Sequence, residues 1–401
     1  MKWPWQRSES RAAVLTQKDL RLIELFDGDL DANFGQRVNA MRTEWLSAAA
    51  AAIDAIAGTI CSLPAYVYRV TDAGREEDPG HPLARLTVDG FNDNLSWPDG
   101  VQWLGAECLR YGNAALEKIP AAGAVRELVP LPWPCLVPKI LASGRMVYEY
   151  TDPITGLRRR LLDTDVLHLR DRTDNGLIGR ARSERASPVI GAALALSEYS
   201  GNLFKNGSYP SGVVTIDGKV TAETLDRLKN EFKQLYGGPK KSGTAMILPN
   251  AKWDSVGGSP ADQEILDARR FAVEEAARLY GVPGPIINDQ SHSTFTNSET
   301  LIRFFAQGTI STWCRKIEAT FMRGIFSTAE RRTHRFEIDL TGLLRGDPET
   351  RWKSNQIAVD SGILTPNEIR EQEGWNPRPD GDALKTKAAT ADKAGNNEVV
   401  L

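Results

Sequence analysis

Apolar residues recur at steps of three and four from Arg42 to about Cys61. Trp45, Ala49, Ile53, Ile56 and Ile60 carry the stripe, which is the spacing of one helical face. Pro64 stops it, and residues 65–69 then read as a strand. A second helix is predicted over about 98–111, with Ser96 able to cap it, Asp99 in its first turn and Gly112 past its end. A β-rich stretch follows. Residues 114–119, 125–131, 145–150, 157–162 and 166–170 have strand character, and the turns fall at Ala122-Gly123, Ser143-Gly144 and 153–156. Residues 42–172 thus read as one α+β unit. Before them, periodicity is weak and broken at Asp27-Gly28-Asp29 and Phe34-Gly35, so this start is expected to be peripheral.

The next segment has a different plan. Ser187-Pro188 opens a helix that ends at Asn206-Gly207, and Ser259-Pro260 opens another that ends at Tyr280-Gly281. Their lengths are roughly 19 and 21 residues, or about 30 Å each. Between them the pattern reads strand 212–216, helix 221–236, strand 244–248 and strand 252–256. Two matched helices around a compact insertion describe a stalk with a head. The second helix has an apolar stripe at Ile265, Ala268, Ala272, Ala276 and Leu279, and acids at Asp262, Glu264, Asp267, Glu274 and Glu275. A solvated face is the plain reading of those acids.

After Gly281 comes a breaker-rich run from Val282 to Asp289 and a polar run from Gln290 to Thr294. Thr296-Asn297-Ser298-Glu299 then fits a capping box, predicting a long helix to about Phe326. The polar loop is either a connector or a functional loop. Residues 334–343 read as a strand. Residues 347–373 read as helical, broken at Gly362 and restarted at Thr365-Pro366, and the polar tail from 376 is expected to be mobile.

Composition narrows the function. A chain of 401 residues holds two or three domains. Its 49 Lys+Arg against 52 Asp+Glu leave a net charge of −3, so tight, long-lived DNA binding is not expected, while transient contact remains open. Cys61, Cys108, Cys135 and Cys314 are scattered in apolar contexts, which suits buried free thiols in a reducing cytoplasm and not zinc. Residues 1–11 carry charges, Trp3 and Trp5 but no apolar core of a secretory leader. The apolar run 48–57 is interrupted by Asp54 and too short to span a bilayer, so no membrane partner is expected.

Catalytic signatures are missing. There is no phosphate-binding G-x-x-x-x-G-K-[ST], since Gly237 to Gly243 has the composition in the wrong order and reads as a basic turn. There is no H-E-x-x-H or G-x-S-x-G. His81, His168, His292 and His334 are far apart, and His168 alternates with apolar residues as a structural histidine would. Asp163, Asp165, Asp171 and Asp174 lack EF-hand spacing and are read as structural. No catalytic residue, metal ligand or cofactor is expected.

Six segments, in order, carry a resemblance. They are Ile53 to Pro64 with Tyr66-Val67-Tyr68-Arg69; His81-Pro82-Leu83; Tyr111-Gly112-Asn113-Ala114; Val166 to Arg170 with Gly176-Leu177-Ile178-Gly179; Lys205-Asn206-Gly207 to Gly212; and Leu279-Tyr280-Gly281-Val282-Pro283. Together they resemble the portal proteins of long-tailed bacteriophages over about 42–375. The chain departs from that pattern at Arg180-Ala181-Arg182-Ser183, where the family more often runs from its glycine straight into Ser-Pro. Gly284 and Pro285 are also extra breakers.

The resemblance implies an α+β portal fold. Residues 1–41 would be a peripheral segment, 42–186 an α/β wing, 187–206 and 259–281 a two-helix stem, and 207–258 a strand–helix–strand–strand clip. Residues 282–298 would be a tunnel loop, 299–344 a wing helix and strand, 345–375 a short helical crown and 376–401 a tail. Subunits would close by head-to-tail contacts into a ring of about twelve. That ring would be the DNA channel at one capsid vertex, for packaging and ejection. The implied partners are the terminase large subunit, then the head–tail adaptor, the major capsid protein and scaffold, and duplex DNA bound without sequence preference. The implied location is the virion, after assembly in the host bacterial cytoplasm.

Under this reading Ser291, His292, Ser293, Thr294 and Asn297 would face DNA from the tunnel loop. Asp262, Glu264, Asp267 and Glu274 would line the channel and keep DNA from sticking. Lys229, Lys233, Lys240 and Lys241 on the clip would meet an acidic partner or DNA, unless they are ordinary surface lysines. The rival readings are a tail or baseplate structural protein, and a nucleic-acid-processing enzyme with an unrecognised site.

Overall fold

The computed structural model describes residues 30–31, 37–72, 74–206, 213–216, 251–254, 261–289, 295–344, 348–373 and 375–384. The chain divides into two units, Met1–Asp339 and Leu340–Leu401.

In the larger unit, β1 (Leu30–Asp31) pairs antiparallel with β2 (Arg37–Val38). Asn39 then caps α1 (Ala40–Glu44) by accepting from the Arg42 amide at 2.7 Å. The helix expected from Arg42 to Cys61 is two helices, because Leu46 is extended before α2 (Ser47–Cys61). That break turns Leu46 onto a cluster with Val38, Ile190 and Leu194. It leaves Trp45 outside, 68% exposed, with Arg42 over its ring. Ala49, Ile53, Ile56 and Ile60 of the same predicted stripe are buried.

β3 (Ala65–Thr71) and β4 (Gly74–Glu77) form a hairpin. α3 (Pro82–Asp89), absent from the sequence reading, starts where the His81 ring accepts from the Leu83 amide. α4 (Trp97–Tyr111) has the expected Ser96 cap and ends at Gly112, whose φ is +74°. β5 (Asn113–Ala121) and β6 (Ala124–Leu131) join through left-handed Ala122 and Gly123. β7 (Leu136–Ile140), β8 (Met146–Thr151) and β9 (Arg158–Leu162) make a meander. β7 was not predicted, because Pro138 inside it masks strand character. β10 (Val166–Arg170) pairs with β5, giving sheet order β10-β5-β6.

α5 (Arg182–Arg185) precedes α6 (Ser187–Asn206). Ile190 N donates to the Ala186 carbonyl, so Ala186 and not the expected Ser187 stands at the cap position. β11 (Val213–Ile216) pairs antiparallel with β12 (Ala251–Asp254), closing the two ends of the insertion together. α7 (Ala261–Tyr280) returns, and Gly281 (φ +71°) ends it as predicted. A 3-10 turn at Gly284–Ile287 leads to left-handed Asn288.

α8 (Phe295–Phe305) already includes Thr296, so the expected capping box does not set its start. It runs through a π-helical turn, Ala306–Ile310, into α9 (Ser311–Gly324). α10 (Glu330–Thr333) precedes β13 (His334–Ile338), which completes the sheet β13-β3-β4. The central core packs α4 against α2, where a Cβ placed on Gly105 would just reach van der Waals contact with Ala57. Phe91, Trp97, Phe321 and Phe336 meet as tilted and edge-on rings beside it.

The smaller unit holds α11 (Thr341–Leu344), α12 (Pro348–Asp360) and α13 (Pro366–Gln372). The strand expected over 334–343 therefore stops at Ile338. The break at Gly362 (φ +67°) and the restart at Thr365, with a full Thr365–Glu368 capping box, are as predicted.

Candidate functional site

The motif residues converge where the two matched helices leave the β-rich core. Gly112 and Gly179 touch back to back, and a Cβ on Gly179 would overlap the Gly112 carbonyl oxygen. Asn113, buried beside them, uses all of its amide. Its Nδ2 donates to the Gly179 and Tyr111 carbonyls at 2.8 and 3.1 Å, and its Oδ1 accepts from the Gly179 amide at 2.8 Å. The Gly-Asn and Ile-Gly segments, 66 residues apart, are one clasp. Each buried polar group in it is satisfied, as burial requires.

His168 on β10 extends the clasp. Its Nε2 lies 3.0 Å from Asn113 Oδ1, an acceptor, so Nε2 carries the proton. Its Nδ1 accepts from the Tyr148 hydroxyl at 2.9 Å, and Trp133 stacks on the ring. Burial, aided by the Arg170 charge, pushes its pKa down to about 3. His168 is a neutral structural histidine, as its strand position predicted.

The segment Arg180 to Ser183 forms the second half of the junction. Arg182 donates through Nε to Asp171 Oδ2 at 2.8 Å. Its Nη1 donates to the carbonyls of Tyr280 and Leu279 at 2.9 and 3.2 Å, which are the open carbonyl end of α7. Lys316 of α9 donates to the other Asp171 oxygen at 3.0 Å. The Asp171 amide donates to the Gly112 carbonyl at 2.8 Å, so the clasp and the charge cluster share a residue. Burial raises the Asp171 pKa, but the hydrogen bonds and charges of Arg182 and Lys316 outweigh it and hold the carboxyl below its ordinary value. Rings of Tyr280 and Trp313 flank the guanidinium. Thr309, in the π-helical turn, donates to the Gly281 carbonyl at 2.6 Å and ties α7 to the long helix as well.

The sequence reading missed Arg182 and Lys316. The departure from the family pattern at Arg180 to Ser183 was the available signal for the first. Asp171 was read as structural, and its place in this cluster fits that role. Asp163 pairs with exposed Arg145, and Asp174 with half-buried Arg185.

The structure describes only some of the predicted site residues. Glu264 and Asp267 are exposed on α7 and Glu274 is half-buried. Steps of three and seven put these three on one helical face. That face is mixed, because Arg270 pairs with Asp267 and Arg278 with Glu274, and Phe271 is half exposed under Arg278. The side chain of Asp262 lies outside the described residues. So do Ser291, His292, Ser293 and Thr294, and Lys229, Lys233, Lys240 and Lys241. Asn297, expected on a loop, belongs to α8. Cys108, Cys135 and Cys314 are buried free thiols as expected, while Cys61 is half-buried. No group of residues suited to hold a metal occurs among the described residues. No described helix is long and apolar enough to cross a membrane.

Comparison with known proteins follows the same geometry. The structure is similar to the neck of an empty gene transfer agent particle, with a TM-score of 0.58 at 22% identity, covering 82% of this chain and 90% of that one. It is also similar to an HK97-family phage portal protein from Corynebacterium diphtheriae, with a TM-score of 0.53 at 12% identity, covering 79% of this chain and 98% of that one. In sequence, the portal protein of Enterobacteria phage HK97 is 27% identical over 373 residues, 90% of this chain and 84% of its own length. The probable portal protein of Streptomyces phage phiC31 is 31% identical over 221 residues, 54% of this chain and 48% of its own length. The model of the phage portal protein family matches residues 47–374, from the start of α2 to just past α13. That span takes in the clasp, the charge cluster and both matched helices, and the chain belongs to the phage portal protein family, whose members are structural proteins and not enzymes.

Proposed function

We propose that the chain closes into a ring of about twelve copies at one capsid vertex of a virion, forming the channel through which duplex DNA is packaged and later ejected. The terminase large subunit docks on it during packaging and the head–tail adaptor afterwards, with major capsid protein and scaffold around it. It assembles in the host bacterial cytoplasm. Energy comes from the motor, and this chain supplies a shaped passage. In this reading 42–186 and 299–344 are the wing, α6 and α7 the stem, 207–258 the clip, 282–298 the tunnel loop and 345–375 the crown.

The observation that carries the reading is the pair of 20-residue helices, α6 and α7. They are joined at one end by the β11–β12 pair and fixed at the other by Arg182. Together with the family match, this is a column with an anchored base. The neck of a native gene transfer agent particle, similar in fold at a TM-score of 0.57, was computed with C12 symmetry, which supports a ring of that order. Glu264, Asp267 and Glu274 face the channel and repel DNA phosphates, so the duplex slides. Ser291, His292, Ser293, Thr294 and Asn297 contact the phosphates without reading sequence. Lys229, Lys233, Lys240 and Lys241 meet the acidic surface of a docking partner.

Native mass spectrometry with negative-stain imaging of the purified assembly tests this. A closed ring with a channel on the order of 20 Å, wide enough for a duplex, is expected. A stable dimer or tetramer without a channel overturns the reading.

A further inference from the structure

A cavity of about 780 Å³ lies between strands β8 and β10 and the C-terminal half of α9, and its wall includes His168 and Lys316 of the junction. Six cations line it: Lys118, Arg145, Arg170, Lys316, Arg323 and Arg331. The lining contains one acid, Asp163, which is taken up by Arg145. Lys316 is taken up by Asp171.

The other four cations have no carboxylate at ion-pair distance among the described residues. Lys118 donates to the Gly324 carbonyl, Arg331 to the Phe326 carbonyl, and Arg170 to the His168 ring and the Gly176 carbonyl. Arg323 is exposed. Concentrating like charge in a concave site is unfavourable unless an anion fills it.

The same unit carries the complement. The β3–β4 hairpin has exposed Asp72, Glu76 and Glu77, and none of the three makes an ion pair among the described residues. The hairpin is held on its own sheet by the pairing of β3 with β13 and by Arg75, which bonds Glu337 at 2.6 Å. No hairpin residue lines the cavity. A head-to-tail ring needs two different, complementary patches on each subunit. A basic socket and an exposed acidic hairpin strand are such a pair.

We propose that the cavity is the socket for an acidic segment of a second copy of this chain, the β3–β4 hairpin with Asp72, Glu76 and Glu77. The cavity is of a size for a few side chains and too small for a duplex. The proposal rests on the ring reading above, and it adds which surfaces meet and why they meet in one order around the ring.

The test is a charge swap in the full-length chain, read as the concentration at half assembly by native mass spectrometry. One variant carries Arg323→Glu and Arg331→Glu, the second Glu76→Lys and Glu77→Lys, and the third all four. Near-UV circular dichroism of each confirms native packing before assembly is read. The first two should need about tenfold more protein or worse, because like charges now face each other. The four-fold variant should recover to near the wild-type value.

Assembly unchanged in the first two variants overturns the proposal. So does a combined variant no better than the worse parent. Isothermal titration with inorganic phosphate and with a short single-stranded oligonucleotide is the further arm. Micromolar binding abolished by Arg323→Glu, without rescue in the swap, would assign the cavity to a phosphate ligand instead. A wild-type chain that forms a stable dimer or tetramer without a channel overturns the ring reading itself, which is a different result from a ring indifferent to the swap.

Discussion

Replacing Arg182 by alanine should cost about 3 kcal/mol of stability. The Asp171 side chain is 6% exposed and the Arg182 side chain 21%, so this pair is largely desolvated. Removing one partner of a buried pair typically costs about 3–5 kcal/mol, because the other charge is left uncompensated. Here Lys316 remains 3.0 Å from Asp171, which reduces that loss by roughly half. Two carbonyls at the end of α7 also lose their donor, at about 0.5–1 kcal/mol each where water can partly replace it. Arg182→Lys should fall between, since an ammonium cannot span the carboxylate and both carbonyls. Arg180→Ala is the control, because it is itself exposed, its partners Asp174 and Glu184 are exposed and half-exposed, and its loss should cost about 0.5 kcal/mol or less. Urea unfolding of the unassembled chain, followed by far-ultraviolet circular dichroism, measures all three. An Arg182→Ala cost below about 1 kcal/mol, or no larger than that of Arg180→Ala, refutes the argument. The cluster also has a sign in pH. The folded Asp171 carboxyl lies below its unfolded value, so its contribution is present above the ordinary carboxylate pKa and is lost as pH falls through the lower folded one.

Three further outcomes follow from the same geometry. With the His168 pKa held near 3 against about 6.5 unfolded, the unfolded chain binds the extra proton between those values, so stability must fall as pH drops. Between pH 7 and 5 the wild type should lose about 2 kcal/mol more than His168→Gln in denaturant titrations, and equal slopes would refute a buried neutral ring. Gly179→Ala should cost about 3 kcal/mol or more, because its methyl group overlaps the Gly112 carbonyl, and near-wild-type melting would show that the clasp yields. Thiol titration with a disulfide reagent should find Cys61 alone reacting in the native chain, and slowly, since burial raises its pKa. All four thiols should react in denaturant, and rapid native reaction of Cys108 or Cys314 would contradict their burial.

The parts of the fold legible in the sequence are those set by local rules. α4 carries its own start and stop in Ser96 and Gly112, and α6, α7 and α13 are likewise delimited by Pro and Gly positions. The errors fall where tertiary packing decides. The stripe from Trp45 to Ile60 is continuous in sequence, yet Leu46 leaves helical backbone to reach Val38 and Ile190. Ile190 lies far along the chain, and nothing near Leu46 announces it. α3 was hidden because only eight residues carry it and its cap is a histidine, an uncommon capping residue. At the site, the motif residues Gly112, Asn113 and Gly179 were visible, but their joint purpose was not, since it depends on two segments 66 residues apart meeting in space. Arg182 was visible only as a departure.

The departure at Arg180 to Ser183 gains its meaning from what it connects. A direct run from Gly179 into α6 would leave the α7 carbonyl end and Asp171 without this arginine. Inserting α5 places Arg182 where one guanidinium reaches the carboxylate on the β10 side and two carbonyls on the α7 side. Asp171 in turn bonds through its amide to Gly112, at the end of α4, and through its side chain to Lys316 of α9. A load along α7 therefore passes through Arg182 into a packed sheet and two helices, by charge-assisted bonds and one backbone bond at Gly112. A glycine hinge at Gly281 alone would absorb it, but the Thr309 bond to the Gly281 carbonyl and Arg182 on the preceding carbonyls close that freedom from both sides. In the proposed ring, a base fixed in this way keeps the bore constant while partners change at the far end, and Arg182, which the family pattern did not supply, carries the bonds to α7.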